Sequence, residues 1–227
     1  MRVLGEHGRR DLRVLEFGCG PTVHRAMAAA PYARSITFAD LLATNLAAVD
    51  RWIQRDPSAF DWSPFAHFIM QLEARSGQSR VEASSREDST RSLVTSLRVA
   101  DALTRDPLGS EGRRAYDLVI AGYCLEAIGP RDEDFRSGLA HVLDLVSANG
   151  LAVVMSLANC RRYRLNGRYV DCYPVGAKDL RRGFNEAGFG RISIETRRLQ
   201  DHTQQGYSAI HLSWARRDDD HSGDRID

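Results

Sequence analysis

One short stretch of the sequence, residues 13–22, constrains the fold more than any other. It reads Arg-Val-Leu-Glu-Phe-Gly-Cys-Gly-Pro-Thr, so a short apolar run stops abruptly at two glycines. An alanine-rich segment of helical composition follows Pro21, which we expect to be the first residue of a helix, where a missing N–H has no cost. The pattern therefore predicts a buried strand, a glycine turn and a helix. Glycines let a ligand approach the backbone, and the start of a helix offers N–H groups to an anion.

The glycine turn is shorter than that of dinucleotide-binding proteins. Glu16, Gly18 and Gly20 form the pattern Glu-x-Gly-x-Gly, whereas dinucleotide binders carry Gly-x-Gly-x-x-Gly. A strand-terminal acid followed by a short turn suits a cofactor with an amino-acid end rather than a pyrophosphate. The motif resembles the first motif of S-adenosylmethionine-dependent methyltransferases.

The composition excludes several classes of function. The 227 residues suffice for one α/β domain with a sizeable core, and a net charge of +1 gives no field that recruits nucleic acid or an anionic membrane. No apolar run is long enough for a membrane span and no signal peptide opens the sequence, so we expect a soluble, cytoplasmic protein. The four cysteines lack Cys-x-x-Cys spacing, which predicts structural thiols and no metal site.

Strands and helices alternate along most of the sequence. After the first strand, further strands are predicted at 35–39, 96–100, 116–121 and 150–155. This order predicts an α/β fold, a Rossmann-like, doubly wound, mostly parallel sheet with its ligand at the carboxyl ends of the strands. The candidate residues at such strand ends are Gly18, Asp40, Asp101, Gly122 and Ser156.

The last third departs from this alternation. Asn166 and Gly167 stand between alternating residues, which is a strong signal for a two-residue hairpin turn. A helix is predicted over 179–187. The last two predicted strands, 191–197 and 207–215, are expected to form a terminal antiparallel pair.

Two polar segments are not expected to join the core. Residues 76–92 contain hardly any apolar anchor, so we expect a mobile loop or a helix that is solvated all round. Residues 218–227 are acidic and polar and are predicted to be disordered. No repeat or linker divides the rest, so the sequence predicts a single domain over residues 1–217.

Asp40 follows the second predicted strand, about 20 residues beyond the glycine turn, where an acid accepts hydrogen bonds from ribose hydroxyls. The alternative is a helix N-cap, because residues 41–53 have the pattern of a helix. The glycine turn upstream favours the ribose.

Four strings of the sequence occur together in one known enzyme family. They are Gly18-Cys-Gly-Pro-Thr22, Asp40 with Asn45, Asp56-Pro-Ser-Ala-Phe-Asp-Trp-Ser-Pro64 and Cys124-Leu-Glu-Ala127. In these strings the chain resembles the nicotinamide, phenylethanolamine and indolethylamine N-methyltransferases, and the order and spacing hold from about Val14 to Arg217. The resemblance implies a bacterial class I methyltransferase that uses S-adenosyl-L-methionine and releases S-adenosyl-L-homocysteine.

The resemblance also implies which residues bind this cofactor. The set is Gly18, Cys19, Gly20, Thr22, His24, Asp40, Leu41, Asn45, Asp101, Ala102, Gly122 and Tyr123. Within it, Asp40 is expected to hold the ribose. Asp101, with the backbone of Ala102, is expected to hold the adenine.

For the acceptor, the resemblance implies a pocket that contains Tyr163 and Cys172, with Cys160 and Ser156 beside them. Ser156 stands where amine-methylating relatives carry an aspartate that grips the acceptor. Asp171 is the only carboxylate nearby in that part of the sequence. The loss of the aspartate leaves an uncharged aromatic acceptor open.

Methyl transfer from a sulfonium is an in-line displacement, so the protein mainly aligns the reactants and excludes water. The candidate catalytic residues are Glu126, Asp171 and Tyr163; Glu126 has the alternative role of capping a helix after the fourth strand. We expect transfer to nitrogen of an indole-like or arylalkylamine-like acceptor in bacterial secondary metabolism. Carbon of an indole ring, or oxygen of a neutral aromatic, is the alternative.

The expected partners are a small aromatic acceptor and no nucleic acid or membrane, with the chain a monomer or a homodimer. Relatives carry an N-terminal lid, whereas only residues 1–12 precede the first predicted strand. The true start lies upstream, or the segment 76–92 covers the site, or a second subunit does. A non-catalytic cofactor-binding subunit that needs a partner is therefore the second hypothesis.

Overall fold

The computed structural model describes residues 8–75, 83–165, 167–199 and 206–218. Contacts divide the chain into two compact units, residues 1–99 and 100–227, and each is described by itself. The sequence's single domain over 1–217 stays a prediction. The predicted disorder beyond residue 218 concerns residues outside the described ranges.

The first unit contains three strands and the helices between them. Its elements are β1 (Leu12–Phe17), α1 (His24–Ala29), β2 (Ala33–Asp40), α2 (Ala43–Ile53), α3 (Ser63–Arg75), α4 (Ala83–Leu93) and β3 (Val94–Val99). The strands are parallel in the order β3-β2-β1. Because Phe17 pairs with Ala39, and Asp40 with Val99, their carboxyl ends lie at one edge of this sheet. The interiors of β1 and β2 are mostly buried and apolar, as the sequence predicts, whereas β3 is half-buried to exposed and carries polar residues.

Helix α1 begins at His24 and not at Pro21, so that detail of the prediction is wrong. Gly18 and Gly20 have φ angles of +62° and +60°, which prolong the turn. The hydroxyl of Thr22 then donates to the carbonyl of Cys19 at 2.7 Å. The turn thus extends beyond the two glycines, and the helix begins only after it.

The polar segment before β3 is a packed helix over residues 83–93, which corrects the expectation of a mobile loop or a fully solvated helix. Arg86 is buried and forms two hydrogen bonds with Glu73 of α3, at 2.8 and 2.7 Å, and one with the Met27 carbonyl at 3.0 Å. Trp52 of α2 donates to Glu87 at 2.9 Å. Charged pairs replace apolar anchors here, and hydrophobic periodicity does not reveal them. Residues 76–82 lie outside the described ranges.

The second unit contains the remaining strands. Its elements are β4 (Tyr116–Gly122), α5 (Asp132–Leu143), β5 (Val146–Leu157), β6 (Arg162–Leu165), β7 (Arg168–Asp171), α6 (Ala177–Glu186), β8 (Phe189–Arg198) and β9 (Ala209–Arg217). Strand β5 pairs with β4 in parallel and with β9 antiparallel, and β9 pairs antiparallel with β8. The predicted fold class, mostly parallel α/β with an antiparallel last strand, is confirmed.

Strands β6 and β7 form a separate two-stranded hairpin. Leu165 pairs with Arg168, and Gly167 has a φ of +79°, so the predicted two-residue turn is confirmed. Among the helices that the structure describes, none combines the length and apolar character that crossing a membrane requires.

Candidate active site

The glycine turn of the first unit is tied to the end of the neighbouring strand. The carboxylate of Asp40, which is buried, accepts a hydrogen bond from the Gly20 N–H at 2.7 Å. Its other oxygen accepts from the Leu42 N–H and from the side-chain amide of Asn45, both at 2.9 Å. The residue that caps α2 is Leu42, without a side-chain bond, so the alternative role of Asp40 as an N-cap is not supported.

This arrangement fits a ribose-bearing cofactor. A carboxylate has about four acceptor positions, and three of those on Asp40 are occupied, which leaves one on Oδ2 for a hydroxyl donor. A Cβ placed on Gly20 would meet no atom nearer than 3.9 Å, so there is room beside the turn. Leu41, the next residue after Asp40, is exposed. The turn therefore offers a hydrogen-bond acceptor and open space for a ligand at the same place.

Two further charged residues stabilise the turn from beneath. Arg25 forms an ion pair with the buried Glu16 and also donates to the Cys19 carbonyl at 3.2 Å. Burial raises the pKa of Glu16, and Arg25 opposes this shift. Within the described residues, Oε2 of Glu16 has no hydrogen-bond partner. The sequence pattern indicated Glu16 as an acid at the end of the first strand. Nothing in the sequence indicated that Arg25, in an alanine-rich helix, would pair with it.

His24 lies in an aromatic cluster. Its ring stacks on Trp62, with centroids 5.6 Å apart, and also contacts Phe65. Burial, with the nearby charge of Arg25, lowers the pKa of His24 to about 4, so the ring is neutral at neutral pH. Phe60 and Phe65 are exposed beside it. The rings that contact this histidine are thus Trp62 of the rare Phe-Asp-Trp-Ser-Pro string and Phe65, which directly follows that string.

In the second unit, the predicted adenine residues lie in a turn after residue 100. The Asp101 side chain is exposed and accepts from the Leu103 N–H at 2.8 Å. The Ala102 carbonyl accepts from Nδ1 of His141 at 2.8 Å. Gly122 ends β4, and Tyr123 follows with a φ of +60° and an N–H that donates to the Met155 carbonyl at 2.8 Å.

Glu126 is the most perturbed acid of the second unit. Its side chain is 1% exposed, and Oε1 accepts from the Leu157 N–H at 2.8 Å. Oε2 is buried and has no hydrogen-bond partner within the described residues. Burial raises the pKa of Glu126 to about 7. The helix-cap alternative is wrong, because α5 starts only at Asp132 and Glu126 binds the end of β5 instead.

A cavity of about 430 Å³ has Leu157, the backbone partner of Glu126, among its lining residues. Three tyrosines, Tyr123, Tyr163 and Tyr207, line it together with Leu157, to which Glu126 is bonded. Burial raises the pKa of Tyr163, and the charge of Glu126 adds to this shift. The cavity is thus mostly aromatic and apolar. Glu126 is not one of its lining residues and is linked to it through the hydrogen bond with Leu157.

The two predicted cysteines lie beneath this cavity. Cys160 and Cys172 are both buried and pack with Leu157 against Tyr163 and Tyr207. The Cys172 thiol donates to the Cys160 carbonyl at 3.0 Å. The structure therefore packs these two cysteines against Tyr163, which lines the cavity, while the cysteines themselves are not in its lining.

Two other predicted residues lie apart from the cavity lining. Asp171 is 66% exposed, and its carboxylate is 3.7 Å from Arg162. Ser156 is buried, pairs with His211 of β9, and has no hydrogen-bond partner for its hydroxyl in the described part of the chain. Since successive residues of a strand face opposite sides, Leu157 lines the cavity and Ser156 faces away from it.

Comparison with known proteins places these features in a family. The model of the NNMT/PNMT/TEMT family matches residues 1–215. The chain belongs to this family. It is 26% identical to human nicotinamide N-methyltransferase over 176 residues, which are 78% of this chain and 65% of that relative. It is also 26% identical to phenylethanolamine N-methyltransferase of Macaca mulatta over 218 residues, 94% of this chain and 75% of that relative.

Solved structures agree in fold. A SAM-dependent methyltransferase from Methanosarcina mazei superposes with a TM-score of 0.62 at 11% identity, covering 96% of this chain and 98% of that one. The CurJ carbon methyltransferase gives a TM-score of 0.52 at 15% identity, with 92% of this chain and 49% of that one covered. At such identities the likeness concerns the fold alone.

Family membership confirms the predicted class, a SAM-dependent methyltransferase, and S-adenosyl-L-methionine as its cofactor. The individual site residues stay predictions. Among the described residues, no group of three or more His, Cys, Asp or Glu side chains is placed to hold a metal ion.

Proposed function

We propose that this chain transfers the methyl group of S-adenosyl-L-methionine to a nitrogen atom of a small indole-like or arylalkylamine-like acceptor. The observation that carries the proposal is the hydrogen bond between Leu157, which lines an aromatic cavity, and Glu126, a buried carboxyl group with one oxygen that lacks a partner in the described residues. The relatives are named as methyltransferases of nicotinamide and phenylethanolamine.

The size and lining of the cavity support a small aromatic acceptor. About 430 Å³ is within the range of pockets for small molecules. Tyr123, Tyr163 and Tyr207 offer faces and edges on which a planar ring packs favourably. Beyond these tyrosines and Leu157, Leu165, Leu199 and Ile210 add apolar surface, and Arg164 adds one positive charge.

Glu126 supports nitrogen as the atom that is methylated. An amine attacks only through its neutral form, so its proton must leave. A carboxyl group with a pKa of about 7 is suited to accept that proton at neutral pH. Amine-methylating relatives carry an aspartate at the position of Ser156. We propose that Glu126 supplies the negative charge that this aspartate provides in those relatives.

The cofactor supplies an electrophilic methyl group on a sulfonium. With the cofactor bound, the nitrogen lone pair would form the new N–C bond while the C–S bond broke with its electron pair on sulfur, so that S-adenosyl-L-homocysteine would be the product. Glu126 takes the proton of the amine, the tyrosines hold the ring, and the buried Leu157 wall keeps water away. No protein nucleophile takes part in this step.

We assign the cofactor to the residues that the family resemblance indicates, with Asp40 as the ribose acceptor and Asp101 at the adenine. We further propose that the chain acts in the cytoplasm, as a monomer or homodimer, in bacterial secondary metabolism. These parts rest on the resemblance and on the charge balance of the sequence.

The test incubates purified chain with methyl-labelled cofactor and a panel of tryptamines, phenylethylamines, indoles and pyridines. We expect labelled product from an amine, with the methyl group on nitrogen by NMR. A methyl group on ring carbon or on oxygen would overturn the assignment to nitrogen. Cofactor binding without transfer to any acceptor would support a non-catalytic subunit instead.

The role of Glu126 is tested by Glu126→Gln, which retains an acceptor for the Leu157 N–H. We expect kcat/KM to fall by about two orders of magnitude or more, as for the loss of a general base. Glu133→Gln is the matched control, because Glu133 is 71% exposed and is paired with Arg131 on the surface. Equal activity of the two variants would contradict the proposal.

A further inference from the structure

Helix α3 of the first unit carries two apolar stripes, whereas a surface helix typically carries one. The inner stripe contains Ala66 and Ile69, which are buried, and the helix packs against α1 and α4. The outer stripe contains Phe65, Phe68 and Leu72, whose spacing of three and four residues places them on one face of the helix. These three side chains are 42%, 58% and 39% exposed. Helix α3 therefore presents a second apolar face to solvent.

Phe60, just before the helix, extends the outer stripe. Its side chain is 62% exposed, and its ring centroid lies 6.3 Å from that of Phe65. Phe60, Phe65, Phe68 and Leu72 are called the α3 patch below. With about 200 Å² for each fully exposed side chain, their exposed fractions amount to roughly 400 Å² of apolar surface. A contiguous apolar patch of a few hundred Å² is often a binding surface.

The two ends of the α3 patch carry opposite charges. Asp61 lies seven residues before Phe68, and Arg75 lies seven residues after it. Within residues 60–75, all of which the structure describes, the exposed charged side chains are Asp61 and Arg75. Asp61 accepts a hydrogen bond from the Ser63 N–H at 2.9 Å, which fixes the carboxylate at the start of the helix. The charge pattern of this face is therefore antisymmetric about Phe68.

This pattern makes the face complementary to itself. When two copies of α3 lie antiparallel about a two-fold axis at Phe68, Asp61 of each copy comes opposite Arg75 of the other. The two Phe68 rings then meet at the axis, and Phe65 lies opposite the turn that carries Leu72. A two-fold interface requires such self-complementarity, because the same surface contacts itself. A parallel arrangement would instead bring like charges together.

The area of the α3 patch is close to what a stable dimer needs at its apolar centre. A specific interface buries about 800 Å² on each partner, and a little over half of this is apolar. The roughly 400 Å² of the patch supply most of that apolar share. The neighbouring polar side chains, among them His67 and Gln71, are exposed and are available for the rim.

We infer that the α3 patch is the interface of a homodimer, in which a second copy of this chain packs its own α3 antiparallel on the first. The inference builds on the homodimer that the proposed function leaves open, and it requires no methyl transfer. Phe65 also contacts His24, with ring centroids 5.8 Å apart. The interface therefore adjoins a residue that we assign to the cofactor.

Sedimentation equilibrium of the full chain over a series of concentrations tests the dimer. We expect species of 25.4 kDa and of twice that mass, in proportions that change with concentration. Phe68→Arg places two like charges at the axis and is expected to weaken dimerisation by about a hundredfold or more. Tyr169→Arg is the matched control, because Tyr169 is 62% exposed on the β6–β7 hairpin. A monomer at every concentration, or equal weakening by both variants, would overturn the interface.

Charge exchange tests the antiparallel arrangement. Asp61→Lys and Arg75→Glu are each expected to weaken the homodimer by about tenfold, because like charges then come opposite. A mixture of the two variants should form a heterodimer that is tighter than either homodimer, since opposite charges face each other again. A mixture that associates no better than its components would overturn the arrangement. Unmodified dimer that transfers no methyl group would refute the proposed function alone, whereas an active chain that stays monomeric would refute the interface alone.

Discussion

The Glu126 carboxylate accepts a hydrogen bond of 2.8 Å from the backbone N–H of Leu157, and so joins the turn after β4 to the end of β5. The Glu126 carbonyl also accepts from the Tyr173 N–H at 2.9 Å. The acid is therefore held by backbone contacts on both sides, while its second oxygen has no partner in the described residues. A group of raised pKa is thus held in a fixed orientation against the backbone of Leu157, which lines the aromatic cavity.

The first prediction concerns the pH dependence of catalysis. Because the pKa of Glu126 is about 7, kcat/KM is expected to rise with pH until about pH 7 and then to level off. Glu126→Gln should remove this rise as well as lower the rate. Steady-state kinetics between pH 5 and 9 measure it, with Glu133→Gln as the control. An unchanged pH profile in Glu126→Gln would assign the titration to another group.

The second prediction concerns stability. A carboxyl pKa raised by folding from 4.5 to about 7 means that the folded state binds the proton more tightly, so the free energy of unfolding falls as pH rises through this window. The loss is on the order of 3 kcal/mol. Glu126→Gln should therefore be more stable than the unmodified chain at pH 8 and similar at pH 4. Urea unfolding at both pH values measures this, and a parallel pH dependence of the two proteins would contradict it.

The third prediction concerns Asp40, which accepts three hydrogen bonds. In Asp40→Asn the amide presents donors where acceptors are needed, so we expect a cost of about 1–3 kcal/mol in stability and at least a tenfold weaker binding of S-adenosyl-L-homocysteine. Asp50→Asn on the exposed side of α2 is the control and should bind normally. Calorimetric titration decides; normal binding by Asp40→Asn would remove Asp40 from the cofactor site.

The fourth prediction separates backbone strain from ligand contact. Gly20 and Gly167 both have positive φ angles and both have space for a Cβ. Alanine at either position is expected to cost about 1 kcal/mol or more of stability through strain. Only Gly20→Ala should also weaken cofactor binding, because its Cβ fills the space beside the turn. If both variants bound the cofactor equally, the turn would not be a binding element.

The fifth prediction concerns the buried pair of Arg86 and Glu73. Arg86→Met leaves a buried carboxylate without its partner, which is expected to cost about 3–5 kcal/mol. Arg55→Met is the control, because the Arg55–Asp88 pair is exposed and is expected to contribute at most about 1 kcal/mol. The double variant Arg86→Met/Glu73→Leu should recover much of the loss. Chemical unfolding measures all three, and equal effects of the two single variants would contradict the assignment.

The sequence predicted β1, β2 and β4 well because their interiors are mostly apolar runs that end at or just before a glycine or an acid. Gly18 and Asp40 could be placed at one sheet edge for this reason, and the structure shows the contact between the Asp40 carboxylate and the Gly20 N–H. The hairpin turn at Gly167 was visible because such turns require particular residues.

Other features depended on tertiary contacts that no local pattern shows. The pairing of Arg25 with Glu16 joins a helix to a strand, and Arg86 reaches Glu73 on a different helix. Glu126 was assigned two roles from the sequence, because its partner, the Leu157 N–H, lies 31 residues away. The alternation that turns Ser156 away from the cavity was not used, since the resemblance alone had placed it there.

The buried contact between Arg86 and Glu73 also has an evolutionary consequence. Neither position can drift alone, since each intermediate carries an uncompensated charge in the interior of the first unit. Descendants of this chain should change both codons in step or retain both, while the solvent-facing positions of α4, such as Ser84 and Ser85, diverge freely. Helix α4, whose composition resembles that of a linker, is thus expected to retain Arg86 for as long as α3 retains Glu73, while its exposed positions vary.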